Sequence, residues 1–128
     1  MKSLLVISSF PGRGQIHGRQ TVGVAPYAKN ILLGILTFAK RHKEAITITV
    51  LAERLAGQPQ RSHDHGMDVH RVWKLNNPLS LAALAYHAIR NSAQTVLVQF
   101  EFSMFGKVFM LPFPLLLLLL LKLAGKRT

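Results

Sequence analysis

Thr95-Val-Leu-Val-Gln-Phe-Glu101, a short loop with Phe102 and Gly106, seven leucines over residues 115–121 and then Ala124-Gly-Lys-Arg-Thr128 form the stretch that decides the fold. Alternation over residues 95–102 predicts a strand, and the Leu-rich run predicts a helix over residues 114–124. Gly125 followed by Lys126 and Arg127 is a helix C-terminus signal. A strand, a loop, a helix and a glycine stop form one repeat of a parallel crossover. The expected next element is a further parallel strand, which would lie beyond Thr128.

Working outward, the same alternation recurs. Leu4-Leu-Val-Ile7 is a continuous apolar run between polar and Pro-Gly boundaries, as a strand buried on both faces requires. Residues 9–23 are Gly-rich and basic without an apolar period, and read as a loop. Ala28, Ile31, Leu32, Ile35, Leu36 and Ala39 recur at helical spacing from Val24 onward, ending in Lys40-Arg41. Residues 45–52 alternate as a second strand, with Ile46, Ile48 and Val50 on one side. Residues 53–67 are polar and read as a mobile connection. Residues 69–75 read as a weaker third strand. Asn77-Pro78 is a helix start signal, a capping residue before Pro at the first helical position. Leu79, Ala82, Ala83, Tyr86 and Ile89 are expected on that helix's inner face. Strands alternating with helices predict one α/β domain over residues 1–128: a Rossmann-like open parallel sheet with helices on both faces, its last strand or strands missing.

Composition sets the function classes. The chain has 128 residues, enough for one domain with a sizeable core. Sixteen Lys and Arg against five Asp and Glu give a net charge of +11, which favours an anionic partner. The cations are spread along the chain and lack the aromatic interleaving of common nucleic-acid modules, so no nucleic-acid partner is expected. Cysteine is absent, which removes disulfides and thiolate metal sites and fits a reducing cytosol. The apolar stretch at Leu4 is shorter than the roughly 7–15 residues of a signal peptide core. Residues 108–121 fall short of the roughly 20 that span a bilayer. A helix apolar on every side needs cover on most sides, from the rest of a larger protein, a partner or a membrane surface.

In open α/β sheets, ligands bind beyond the carboxyl ends of the strands. Here that edge comprises residues 8–23, Glu53 and its neighbours, and residues 101–106. Gly12, Gly14, Gly18 and Gly23, interleaved with Arg13, His17 and Arg19, allow close backbone approach to a phosphate, and the following helix supplies free amides. A mobile turn explains the same glycines. A dinucleotide fingerprint fits poorly, because about ten residues separate Gly14 from the helix and Glu53 lies far downstream. His63, Asp64 and His65, with Asp68 and His70 close by, have ligand chemistry, but no second ligand group exists elsewhere and a solvated polar loop accounts for them. No metal and no cofactor is expected, and no nucleophilic triad can be assembled.

Four stretches together resemble the N-terminal domain of a family 4 (group 1) glycosyltransferase of the GT-B fold. They are Leu4-Leu-Val-Ile-Ser-Ser-Phe-Pro11, Val22-Gly-Val-Ala-Pro-Tyr-Ala-Lys-Asn-Ile-Leu32, Ile48-Thr-Val-Leu-Ala52 and Val96-Leu-Val-Gln-Phe-Glu-Phe-Ser-Met-Phe-Gly106. The resemblance implies the acceptor-binding half of an enzyme that transfers a sugar from a nucleotide-sugar donor. It places Gly14, His17, Val22 and Gly23 in a loop near the donor diphosphate and acceptor, and Glu101 and Phe102 on the acceptor side of the cleft. Val22 stands where the family has its first loop glycine. The family's next strand, its Thr-x-His and its donor-binding domain would all come after Thr128. The donor is therefore expected to bind only with a C-terminal domain or partner subunit, and the 128-residue chain to be inactive alone. The implied location is the cytoplasm, peripheral to the inner face of the membrane. The alternative is a non-catalytic basic module that binds anions or an acidic membrane surface.

Overall fold

The computed structural model describes residues 2–11, 24–74, 77–99 and 112–128. Among these, the elements run β1 (Lys2–Ile7), α1 (Val24–Arg41), β2 (Ile46–Glu53), β3 (Arg61–Asp64), β4 (Met67–Trp73), α2 (Pro78–Arg90), β5 (Thr95–Val98) and α3 (Pro112–Leu123). The strands form one sheet in the order β3-β4-β2-β1-β5. β1 pairs parallel with both β2 and β5, and β2 pairs parallel with β4. Only β3 runs antiparallel, against β4. The chain is thus an α/β protein with a mixed, mostly parallel sheet. Parallel neighbours need crossover connections; α1 lies within that from β1 to β2, and α2 lies within the connection that carries the chain from β4 across the sheet to β5.

Alternation along the strands feeds two cores. Val6, Ile48, Val50 and Val69 pack with Phe10 and with Leu32 of α1. Leu5, Ile7, Leu51, Trp73 and Val96 pack on the opposite face with α2 and α3. This double cover explains why β1 reads as an unbroken apolar run instead of alternating. Asn77 caps α2 as expected, its Oδ1 accepting from the Ser80 amide at 3.2 Å, with Pro78 in the first turn.

Two expectations need correction. Residues 53–67, read as a mobile connection, contain β3 and a tight hairpin. His65 and Gly66 both take positive φ (49° and 86°), the requirement of a two-residue primed turn, between the paired Asp64 and Met67. The sheet is therefore not wholly parallel. The inner face of α2 is also different: Leu81, Leu84, Ala85 and Ala88 are buried, while Leu79, Ala82, Ala83, Tyr86 and Ile89 are exposed. Apolar residues occupy nearly every side of this helix, so period alone permits more than one inward face. Packing on β4 and α3 selects among them.

The end of α3 follows its sequence signal. The Gly125 amide bonds to the Lys122 carbonyl and the Lys126 amide to the Leu121 carbonyl, each at 3.0 Å, with Gly125 at φ 81°. That is the Schellman arrangement, which favours glycine because a Cβ is strained there. The chain then meets β5. Arg127 forms a parallel bridge with Thr95, its amide bonding to the Gln94 carbonyl and its carbonyl accepting from the Val96 amide, both at 2.7 Å. The step from α3 toward a parallel partner of β5 is thus present as a single bridge.

Candidate functional site

The strand order reverses at β1. From β1 the chain moves outward through β2 to β4, then returns to the other side of β1 as β5. The carboxyl ends of β1 and β5 therefore flank a topological switch point, the position where open α/β sheets place their ligands. The ladder extends one residue past both strands. The Ser8 amide bonds to the Leu51 carbonyl at 3.2 Å and the Gln99 amide to the Ile7 carbonyl at 3.0 Å.

Beyond that edge lies a buried polar network. Glu53, at the end of β2, is 4 % exposed, and its Oε1 accepts from the Ser9 hydroxyl at 2.8 Å and the Phe10 amide at 3.3 Å. Arg71 of β4 is 2 % exposed. Its guanidinium donates to the carbonyls of Phe10 at 3.1 Å, Glu53 at 2.9 Å and Pro11 at 2.7 Å. Two central strands thereby clamp the backbone that leaves β1. Glu53 Oε2 and Arg71 Nε have no hydrogen-bond partner among the described residues.

The charges are tuned by burial. Desolvation raises the Glu53 carboxyl above its usual range, outweighing the Ser9 hydroxyl and the nearby Arg71 charge, which favour the ionised form. Burial likewise lowers Arg71, opposed by Glu53 and Asp64. Arginine nonetheless stays a cation throughout the accessible pH range. Beside this network, Lys29 of α1 and Asp64 of β3 form a buried ion pair at 2.9 Å, with the Lys29 ammonium 5.9 Å from the Phe10 ring centroid. The pair joins α1 to the β3–β4 hairpin.

The residues expected to form the site are Gly14, His17, Val22, Gly23, Glu101 and Phe102, and all six lie outside the described residues. In sequence, the first four belong to the connection from β1 to α1 and the last two to the connection from β5 to α3. Both connections leave the switch point. Of the edge residues, Glu53 is legible from sequence as the end of a strand. Lys29 and Arg71 are not, because a basic residue on an amphipathic helix or a strand ordinarily faces water. Lys29 one position from the inward Ala28, and Arg71 amid apolar neighbours, are the only hints the pattern holds.

The His63–His70 segment does not converge on one point. His63 Nδ1 lies 2.9 Å from Asp68 Oδ1, His65 bonds to Asp64, and Asp64 also holds Lys29. No group of three or more His, Cys, Asp or Glu side chains that could hold a metal occurs among the described residues. Comparison with protein families, curated proteins and solved structures found no match.

Proposed function

We propose that the chain is the acceptor-side, Rossmann-like half of a nucleotide-sugar-dependent glycosyltransferase. The observation that supports this reading is the switch point between β1 and β5. The two connections carrying the resembling motifs both leave from it, and the Glu53–Arg71 network fixes the backbone on its β1 side. Such a half-site contributes acceptor contacts and backbone amides for a diphosphate. Stabilising the departing nucleoside diphosphate needs donors aimed at it from a facing domain. These 128 residues are accordingly expected to transfer no sugar alone. The test assays sugar transfer and donor hydrolysis with a panel of nucleotide-sugars, first with the purified chain and then after adding the protein segment encoded immediately downstream. Activity only in the second case is the expected result. Transfer by the chain alone overturns its dependence on a second domain, and inactivity both with the downstream segment and with any co-purifying partner subunit removes the transferase reading.

The exposed face of α3 favours a second reading, peripheral attachment to an acidic membrane. Leu115 and Leu123 are 71 % and 76 % exposed, Leu116 and Leu119 about half, and Lys122 and Arg127 lie close in sequence. Apolar side chains flanked by cations suit an anionic headgroup region. No helix among the described residues is long and apolar enough to cross a membrane. Sedimentation with anionic but not neutral vesicles, lost in Leu115→Ser/Leu119→Ser, is the expected outcome; indifference to vesicle charge rules it out.

A further inference from the structure

A cavity of about 470 Å³ lies between the outer strands β3 and β4 and the last turn of α2. It shares no lining residue with the network at the carboxyl end of β1. Arg61 of β3, His70 of β4, His87 and Arg90 of α2 and Asn91 just after it line the cavity, with Leu51 of β2 at its base. The His70 and His87 rings meet edge to face, their centroids 4.6 Å apart. Asp68, the one carboxylate among the described lining residues, pairs with His63.

We propose that this cavity binds the phosphate group of a soluble ligand. Four cationic or protonatable side chains from three separate elements converge on a recess, although their mutual repulsion favours spreading them over the surface. A concave wall with apolar backing strengthens the field they share. Guanidinium forks match phosphate oxygens two at a time, and the imidazoles and the Asn91 amide add donors around them. The volume falls within the roughly 300–1,000 Å³ of small-molecule sites, larger than a bare phosphate needs, so the ligand is a phosphorylated molecule or a diphosphate. This inference is independent of the transferase reading and concerns a different part of the sheet.

The two histidines report occupancy. Burial lowers His70, and His87 of α2, Arg61 of β3 and Arg54 after β2 lower it further. Arg90 of α2 lines the same recess, and Asp68 on β4 is engaged by His63. A bound anion offsets that repulsion, so His70 must take up a proton more readily when the site is filled.

The experiment follows the histidine ring resonances by NMR during titration with pyrophosphate at constant ionic strength. Saturable shifts of His70 and His87, with a rise in the His70 pKa, are expected. Arg61→Ala/Arg90→Ala should weaken binding about tenfold per arginine, while Lys40→Ala/Arg41→Ala, which removes the same charge from the end of α1, should change it less than about twofold. All four residues are exposed, and the amide spectrum reports folding of each variant. Equal losses in both variants would reduce the effect to net charge and overturn the site, as would the absence of saturable shifts. Vesicles of phosphatidylglycerol form the second arm: a response to them and not to pyrophosphate overturns the soluble ligand.

Discussion

Glu53 shows how much a single carboxyl depends on what surrounds it. One oxygen accepts from Ser9 and Phe10, and the other has no partner among the described residues. Its carboxyl titrates above the ordinary value of 4.5, so the folded state holds its proton to higher pH than the unfolded state does. The stabilisation is complete below the ordinary pKa and is lost as pH rises through the folded value. Glu53→Gln keeps an acceptor for Ser9 and Phe10 and removes the ionisation. Urea unfolding followed against pH should therefore show the variant gaining on the parent as pH rises above about 4.5. A constant difference would mean that the carboxyl titrates alike in both states. Arg71 makes the complementary point. Its three donors serve three buried backbone carbonyls, so its place in the fold is set by acceptors that no side-chain pattern reveals.

Among the elements, the β3–β4 hairpin is held to α1 by the Lys29–Asp64 pair. Asp64→Ala removes the carboxylate paired with the buried Lys29 ammonium and is expected to destabilise by about 3–5 kcal/mol in denaturant unfolding. Lys29→Met/Asp64→Leu, which removes both charges, should recover most of that loss. A double variant as unstable as the single one would count against an ion-pair role. α3 divides into two sides. Leu117 and Leu121 pack with Leu81, Leu84 and Ala85 of α2, whereas Leu115, Leu119 and Leu123 are exposed. Leu121→Ala should cost about 2–5 kcal/mol and Leu119→Ser less than about 0.5 kcal/mol, as read from urea midpoints. Similar losses at both positions would mean that the exposed side is covered in solution. The sequence shows that α3 is a helix and where it stops, but seven consecutive leucines carry no phase. The same holds for α2, whose buried stripe of Leu81, Leu84, Ala85 and Ala88 is chosen by the sheet.

Across the whole molecule, sixteen basic residues face only five acidic ones, and two of the acidic side chains, Glu53 and Asp64, are buried. Lys29 and Arg71 are buried as well, so these four leave the excess of positive charge on the rest of the chain unchanged, and its self-repulsion opposes folding. Raising sodium chloride from low to physiological concentration screens exposed charges and spares the buried Lys29–Asp64 pair. Stability should rise by up to about 1 kcal/mol, measured as an upward shift of the urea midpoint. A midpoint that falls with salt would show that favourable surface pairs outweigh the repulsion.

By itself the sequence determined the α/β class, the approximate positions of β1, α1, β2, β4, α2, β5 and α3, the cap at Asn77 and the stop at Gly125. These follow from hydrophobic period and from backbone preferences of Asn, Pro and Gly, which act over a few residues. Only the tertiary structure decided the strand order, the antiparallel β3, the inward faces of α2 and α3, and the burial of Lys29, Arg71 and Asp64. Each depends on a partner distant in the chain: Asp64 for Lys29, the Phe10 and Pro11 carbonyls for Arg71, the sheet for α2. Polar residues can be buried where such partners satisfy them, and a local pattern cannot show whether the partner arrives.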